Sequence, residues 1–160
     1  MNNLGTYLND HLAGSVAAIE LIDHLIKEQT GLRLEKFLVD LRDEISADQE
    51  TLRDLIRKLD CDESTTRKAS AWFIEKIGQT KIALAGNNAS DLGLLQALEG
   101  LALGITGKKS LWNALQTIEA DVPELQGLNL ERLEHRAQSQ FESVERERLH
   151  LARETLRSNR

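Results

Sequence analysis

The 160-residue chain has one cysteine, Cys61, one proline, Pro123, and one methionine, the initiator. A lone cysteine rules out an intramolecular disulfide and any thiolate cage for a metal. Aromatic residues make up only 4%. That is too few for a β-sandwich or barrel, whose strands are rich in Val, Thr and aromatic side chains and are cut by frequent turn signals. Basic charge is also scarce, with 20 Lys and Arg against 26 Asp and Glu and a net charge of −6. A sequence-independent grip on nucleic acid needs a basic surface, so no nucleic-acid partner is expected. No apolar stretch approaches the ~20 residues that span a bilayer, and no membrane partner is expected either. Charge-free runs such as 82–90 and 100–107 are short and contain Gly, Asn or Thr. The opening residues show no basic segment followed by an apolar run, so no signal peptide is expected and the compartment read from the sequence is the cytoplasm.

What is present favours helices. Hydrophobic residues make up 41% and charged residues 29%, a globular balance too apolar for disorder. The length suits a single domain, 1–160, able to bury roughly 70% of its unfolded surface. Apolar residues recur at three- and four-residue spacing almost throughout. The first helix is expected over Asn3–Glu28, with Leu4, Leu8, Leu12, Ala18, Ile22, Leu25 and Ile26 as its stripe and Gly31 as its stop. A second is expected over 32–59, where Leu34, Leu38, Leu41, Ile45, Leu52, Leu55 and Leu59 keep a nearly strict heptad. Two such helices joined by a tight turn make an antiparallel hairpin about 40 Å long. A shorter helix is expected over 64–84, carrying Trp72, Phe73 and Ile77 and broken by Gly86-Asn87-Asn88. Another long helix follows over 91–119. A single turn is expected at Asp121-Val-Pro123, and a last helix runs over 130–156 after Asn129. The expected architecture is all-α: an antiparallel four-helix bundle with an extra helix in the long crossover between its second and third core helices.

Two segments carry a resemblance. Tyr7-Leu-Asn-Asp-His-Leu-Ala-Gly14 and Glu99-Gly-Leu-Ala-Leu-Gly-Ile-Thr-Gly-Lys-Lys-Ser-Leu-Trp112, set in paired long hairpins, resemble a bacterial branch of the ferritin-like superfamily that lacks the usual di-iron ligand set. The resemblance implies a fold and brings no activity with it.

The oxidases of that superfamily place a Glu on the first and third helices and Glu-x-x-His on the second and fourth. A helical residue advances about 100° around the axis, so inward direction follows from position. Glu20 falls on the solvent side of the first helix, together with Asn9 and Lys27. The second helix has no His at all. Glu147-Arg-Leu-His150 has the right spacing on the last helix, yet His150 lies well off the seam of Leu133, Ala137, Phe141, Val144 and Leu151. A haemerythrin-like site would need more imidazoles than His11, His24, His135 and His150 provide, and a methionine-ligated haem has no internal Met. No cofactor is therefore expected.

Two polar residues interrupt the inner stripes. His11 stands in the line Leu4, His11, Ala18, Leu25, and Asp48 in the line Leu34, Leu41, Asp48, Leu55. Across a turn near residue 30 they come nearly level, with Glu44 one turn from Asp48 on the flank. One reading is a sparse site of His11, Asp48 and Glu44 for a metal or an anionic or polar ligand. The other is a buried pair that satisfies itself and fixes hairpin register. Glu99, the only ionisable residue between Asp91 and Lys108, comes level with Arg148 and is a candidate for a buried ion pair; Gln96, Thr106, Ser110 and Asn113 near its face give solvent or the crossover helix as the other reading. Gly93, Gly100, Gly104 and Gly107 share one face of their helix. Their expected role is close approach to the small side of the first helix, at Gly14, Ala17 and Ala18, with an oligomer contact or a flexible segment as the other readings. Trp112 is expected in the core.

No Ser/His/Asp or Cys/His arrangement suggests an enzyme. The expected role is a non-enzymatic, ferritin-like bundle, structural or partner-binding, in which the di-iron site is lost. Metal binding by His11, Asp48 and Glu44 is the alternative. A ligand pocket in the bundle core and a homo-oligomer both stay open.

Overall fold

The computed structural model describes residues 3–61, 75 and 91–157. Four long helices make up nearly all of this: α1 (Asn3–Glu28), α2 (Glu35–Lys58), α3 (Asp91–Gln116) and α4 (Leu130–Arg157). No strand occurs among the described residues. The expected helix at 64–84, with Trp72, Phe73 and Ile77, lies outside them.

Local chemistry sets the helix ends. Gly31 takes the left-handed conformation, φ 76°, and stops the first hairpin arm where the sequence indicates. The Thr30 hydroxyl donates to the free carbonyls of Ile26 and Lys27, while the Gly31 N–H donates to the Glu35 carboxylate at the start of α2. At the far end of α2, Asp60 is left-handed at φ 50° and the Cys61 N–H donates to the Ile56 carbonyl. Pro123 opens a single 3-10 turn, Pro123–Leu125, within the connection between α3 and α4. Asn129 caps α4, its Oδ1 accepting from the Arg132 N–H at 2.9 Å.

Polar pairs fix the directions of the helices. Asp23–Arg42 and Ser15–Gln49 set α1 antiparallel to α2. Lys109–Gln138, Gln116–Glu134 and Glu99–Arg148 do the same for α3 and α4. Across the remaining seam, Asp48 meets Arg136 while Arg33, just before α2, meets Glu147, so α2 and α4 are antiparallel too. It follows that α2 and α3 run parallel. The end of α2 and the start of α3 therefore lie at opposite ends of the bundle.

The core is one apolar cluster fed by all four helices. Leu8, Leu12, Leu21, Ile22 and Leu25 come from α1, Leu38, Leu55 and Ile56 from α2, and Leu98, Leu101, Leu111 and Trp112 from α3, all fully buried. α4 contributes less bulk, chiefly Ala137, Val144 and Leu151. Hence α1 packs on α2 and α3, and α3 on α4, by apolar contact, whereas long polar side chains bridge α2 to α4.

One residue departs from the wheel. Asn9, expected beside solvent-facing Glu20 and Lys27, is buried, and its side-chain amide donates to the Gly5 carbonyl at 2.9 Å. Satisfying the amide within its own helix turn is what lets it sit against the core.

Candidate functional site

Asp48 is 2% exposed and holds the centre of a polar cluster that three helices build. The Lys108 ammonium of α3 lies 2.5 Å from Asp48 Oδ2, and Arg136 Nη2 of α4 lies 2.7 Å from Oδ1. Gln140, also 2% exposed, completes the cluster. Its oxygen accepts from Lys108, and its amide donates to Asp48 at 3.2 Å and to Glu44 Oε2 at 3.0 Å. Arg136 additionally donates to the Glu44 carbonyl. Burial pulls the Lys108 pKa down, and the Asp48 carboxylate opposes that pull by favouring the charged amine.

The expected partner of Asp48 is thus replaced. Among the described residues, no hydrogen bond or ion pair joins His11 to Asp48. His11 instead sets its ring edge-to-face with Tyr7, centroids 4.7 Å apart. Burial lowers the His11 pKa, with the neighbouring Asp10 acting the other way. Lys108 and Arg136 both reach Asp48, and the partly buried His11 imidazole, whose charged form burial disfavours, does not compete with them. Glu44 is exposed, and its side chain joins the cluster through Gln140. Among the described residues there is no group of three or more His, Cys, Asp or Glu arranged to hold a metal ion.

The second expected pair forms, but at the surface. Arg148 lies 3.6 Å from Glu99, whose side chain is 50% exposed, and Arg148 spends its fork on Glu145 at 2.6 and 2.8 Å. Glu99 falls on the outer line of α3 with Leu92, Gln96 and Leu103, while Leu98, Leu101, Ile105 and Trp112 face inward. Glu99 and Arg148 do come level, and of the two placements the sequence leaves open for Glu99 the exposed one is observed. His150 is exposed and pairs with Glu154, in keeping with its place off the seam.

Lys108, Arg136 and Gln140 went unnoticed in the sequence, although two of them carry a signal there. Lys108 follows Ile105 by three and precedes Trp112 by four, and Gln140 stands likewise between Ala137 and Val144. Both are polar residues on inner lines, as conspicuous as Asp48.

Beside this cluster α1, α2 and α3 enclose a partly open cavity of about 470 Å³. Its walls are mainly apolar, with Ile45 and Leu52 from α2 and Leu101, Ile105 and Trp112 from α3. Gly14 of α1 and Gly104 and Gly107 of α3 line it as well. At Gly14, Gly100 and Gly107 the expected close approach between the glycine face and α1 does not occur. A Cβ built at Gly14, Gly100 or Gly107 meets no atom within 4 Å. Asp48 and Lys108 border the cavity at one place, and Asp10 and His11 at another.

No family model, curated protein or solved structure matches this chain. Among the described residues, the fold defines an all-helical bundle of four long helices. No helix of the described residues is long and apolar enough to cross a membrane.

Proposed function

We propose that the chain is a ferritin-like bundle with a non-enzymatic role, structural or partner-binding, whose interior ions come from its own side chains rather than from a metal. The parallel α2 and α3, each antiparallel to both of its neighbours, support the ferritin-like frame, since that arrangement goes with a single long crossover. The observation that carries the reading is the pairing of Asp48. This inward carboxylate already faces Lys108 and Arg136, and a divalent cation would have to displace both against their charge. The residues do not fit a di-iron centre: ammonium, guanidinium and amide groups from α3 and α4 meet Asp48 where carboxylates and imidazoles would be needed. The same pairing counts against metal binding by His11, Asp48 and Glu44.

The test is metal content by plasma mass spectrometry on untagged protein, after anaerobic Fe(II) loading and desalting. Iron, manganese and zinc are each expected far below one per chain. Near-stoichiometric retention of any of them would overturn the proposal.

A further inference from the structure

We infer that the cavity between α1, α2 and α3 is a binding site for a small, neutral, largely apolar molecule with one hydrogen-bonding group. A volume of about 470 Å³ lies inside the range of pockets that take small organic ligands, roughly 300–1,000 Å³. The walls select for apolar, partly aromatic matter through Trp112, Tyr7 and the branched side chains of Ile45 and Ile105.

Charge decides the rest. An anion in the cavity would face Asp10 and Asp48, and a cation would face Lys108, with Arg136 behind it. The Asp48–Lys108 pair is compensated internally and leaves no charge for a ligand to neutralise. What the walls do offer is neutral polarity. No described residue hydrogen-bonds the His11 imidazole, which burial biases toward the neutral form with one donor and one acceptor. The Trp112 indole, 1% exposed, lines the cavity and carries an Nε1–H with no partner. Each is a place where a single polar group on a ligand would recover a bond now missing.

The glycines bear on the same point. Gly14 and Gly107 sit inside helices, where glycine is the weakest ordinary residue, yet no neighbour requires them to lack a side chain. What their bareness preserves is the open volume between α1 and α3.

The test uses the full chain and the neutral dye N-phenyl-1-naphthylamine, which fluoresces on entering apolar surroundings. Saturable enhancement at one dye per chain is expected. Its anionic relative 8-anilinonaphthalene-1-sulfonate should bind at least tenfold more weakly. Gly107→Leu, which fills the cavity from α3, should weaken dye binding at least tenfold with an unchanged or raised melting temperature. Gly14→Leu does the same from the opposite wall and serves if the first variant fails to fold. No saturable binding, or equal affinity in a folded cavity-filled variant, would overturn the site. Equal affinity for the sulfonate would overturn the neutral-ligand assignment. A retained metal would sink the preceding proposal and leave this result unaffected.

Discussion

At the scale of single residues, the informative ones are polar groups that the bundle takes inside. Asp48 has one largely buried cation, Lys108 with 14% of its side chain exposed, and one more exposed cation, Arg136, so its removal has an unequal effect on the two. Arg136 can turn to water, whereas Lys108 is left in the core without its counter-charge. Asp48→Leu alone should therefore cost about 3–5 kcal/mol, the usual penalty for breaking a buried pair. Combining it with Lys108→Met should recover most of that loss. Urea melts of the two singles and the double measure the coupling, and strictly additive losses would show that the pair does not act as a unit. His11 gives a pH signature instead. Burial sets its native pKa below the ordinary 6.5, so on acidification the unfolded chain takes up a proton before the folded chain does. Stability should thus fall as pH drops below about 6.5, down to the native pKa. His11→Phe should lose less stability between pH 7.5 and 5.5 than the parent in chemical melts; equal losses would remove His11 from the account.

At the scale of elements, α2 and α4 are strongly two-faced, and α1 and α3 are apolar and interrupted by glycine. That division explains which seams are oily and which are bridged by ions. It also allows a test of the cavity that needs no ligand. Where a Cβ meets nothing within 4 Å, alanine gains helix propensity without a clash. Gly14→Ala and Gly107→Ala should each stabilise the protein by about 1 kcal/mol, and Tm should rise by roughly 2–4 °C for each. A fall in Tm, read by calorimetry, would restore close packing as the role of these glycines. Helix extents were largely legible in the sequence, because Gly31, Pro123 and Asn129 act through local backbone chemistry. The observed ends differ from the expected ones by three residues at the start of α2 and at the end of α3. In both places the chain continues through i→i−3 bonds that extend the apolar pattern beyond the α-helix itself.

At the scale of the whole molecule, the two hairpins meet in unlike ways. α1 and α3 are joined through core leucines and a cavity, α2 and α4 through Asp48, Gln140, Arg136 and the Arg33–Glu147 pair. Periodicity established that His11, Asp48 and Trp112 lie on inner lines, and antiparallel counting brought Glu99 level with Arg148. Those are properties of one helix, or of two joined by a known turn, and a single chain contains them. Which cation Asp48 would choose was different. Lys108 and Arg136 arrive from helices far along the chain, and only the side-by-side docking of the hairpins sets which of the candidate charges reaches the carboxylate. The glycine face shows the same division. Spacing aligned the glycines on one side of α3, but their effect depends on how far α1 stands away, and the side chains of the rest of the bundle set that distance. The sequence determined the helices and their inward faces because those follow from local geometry. Tertiary packing alone decided the ion cluster and the cavity, because both are made of distances between helices that the chain order does not encode.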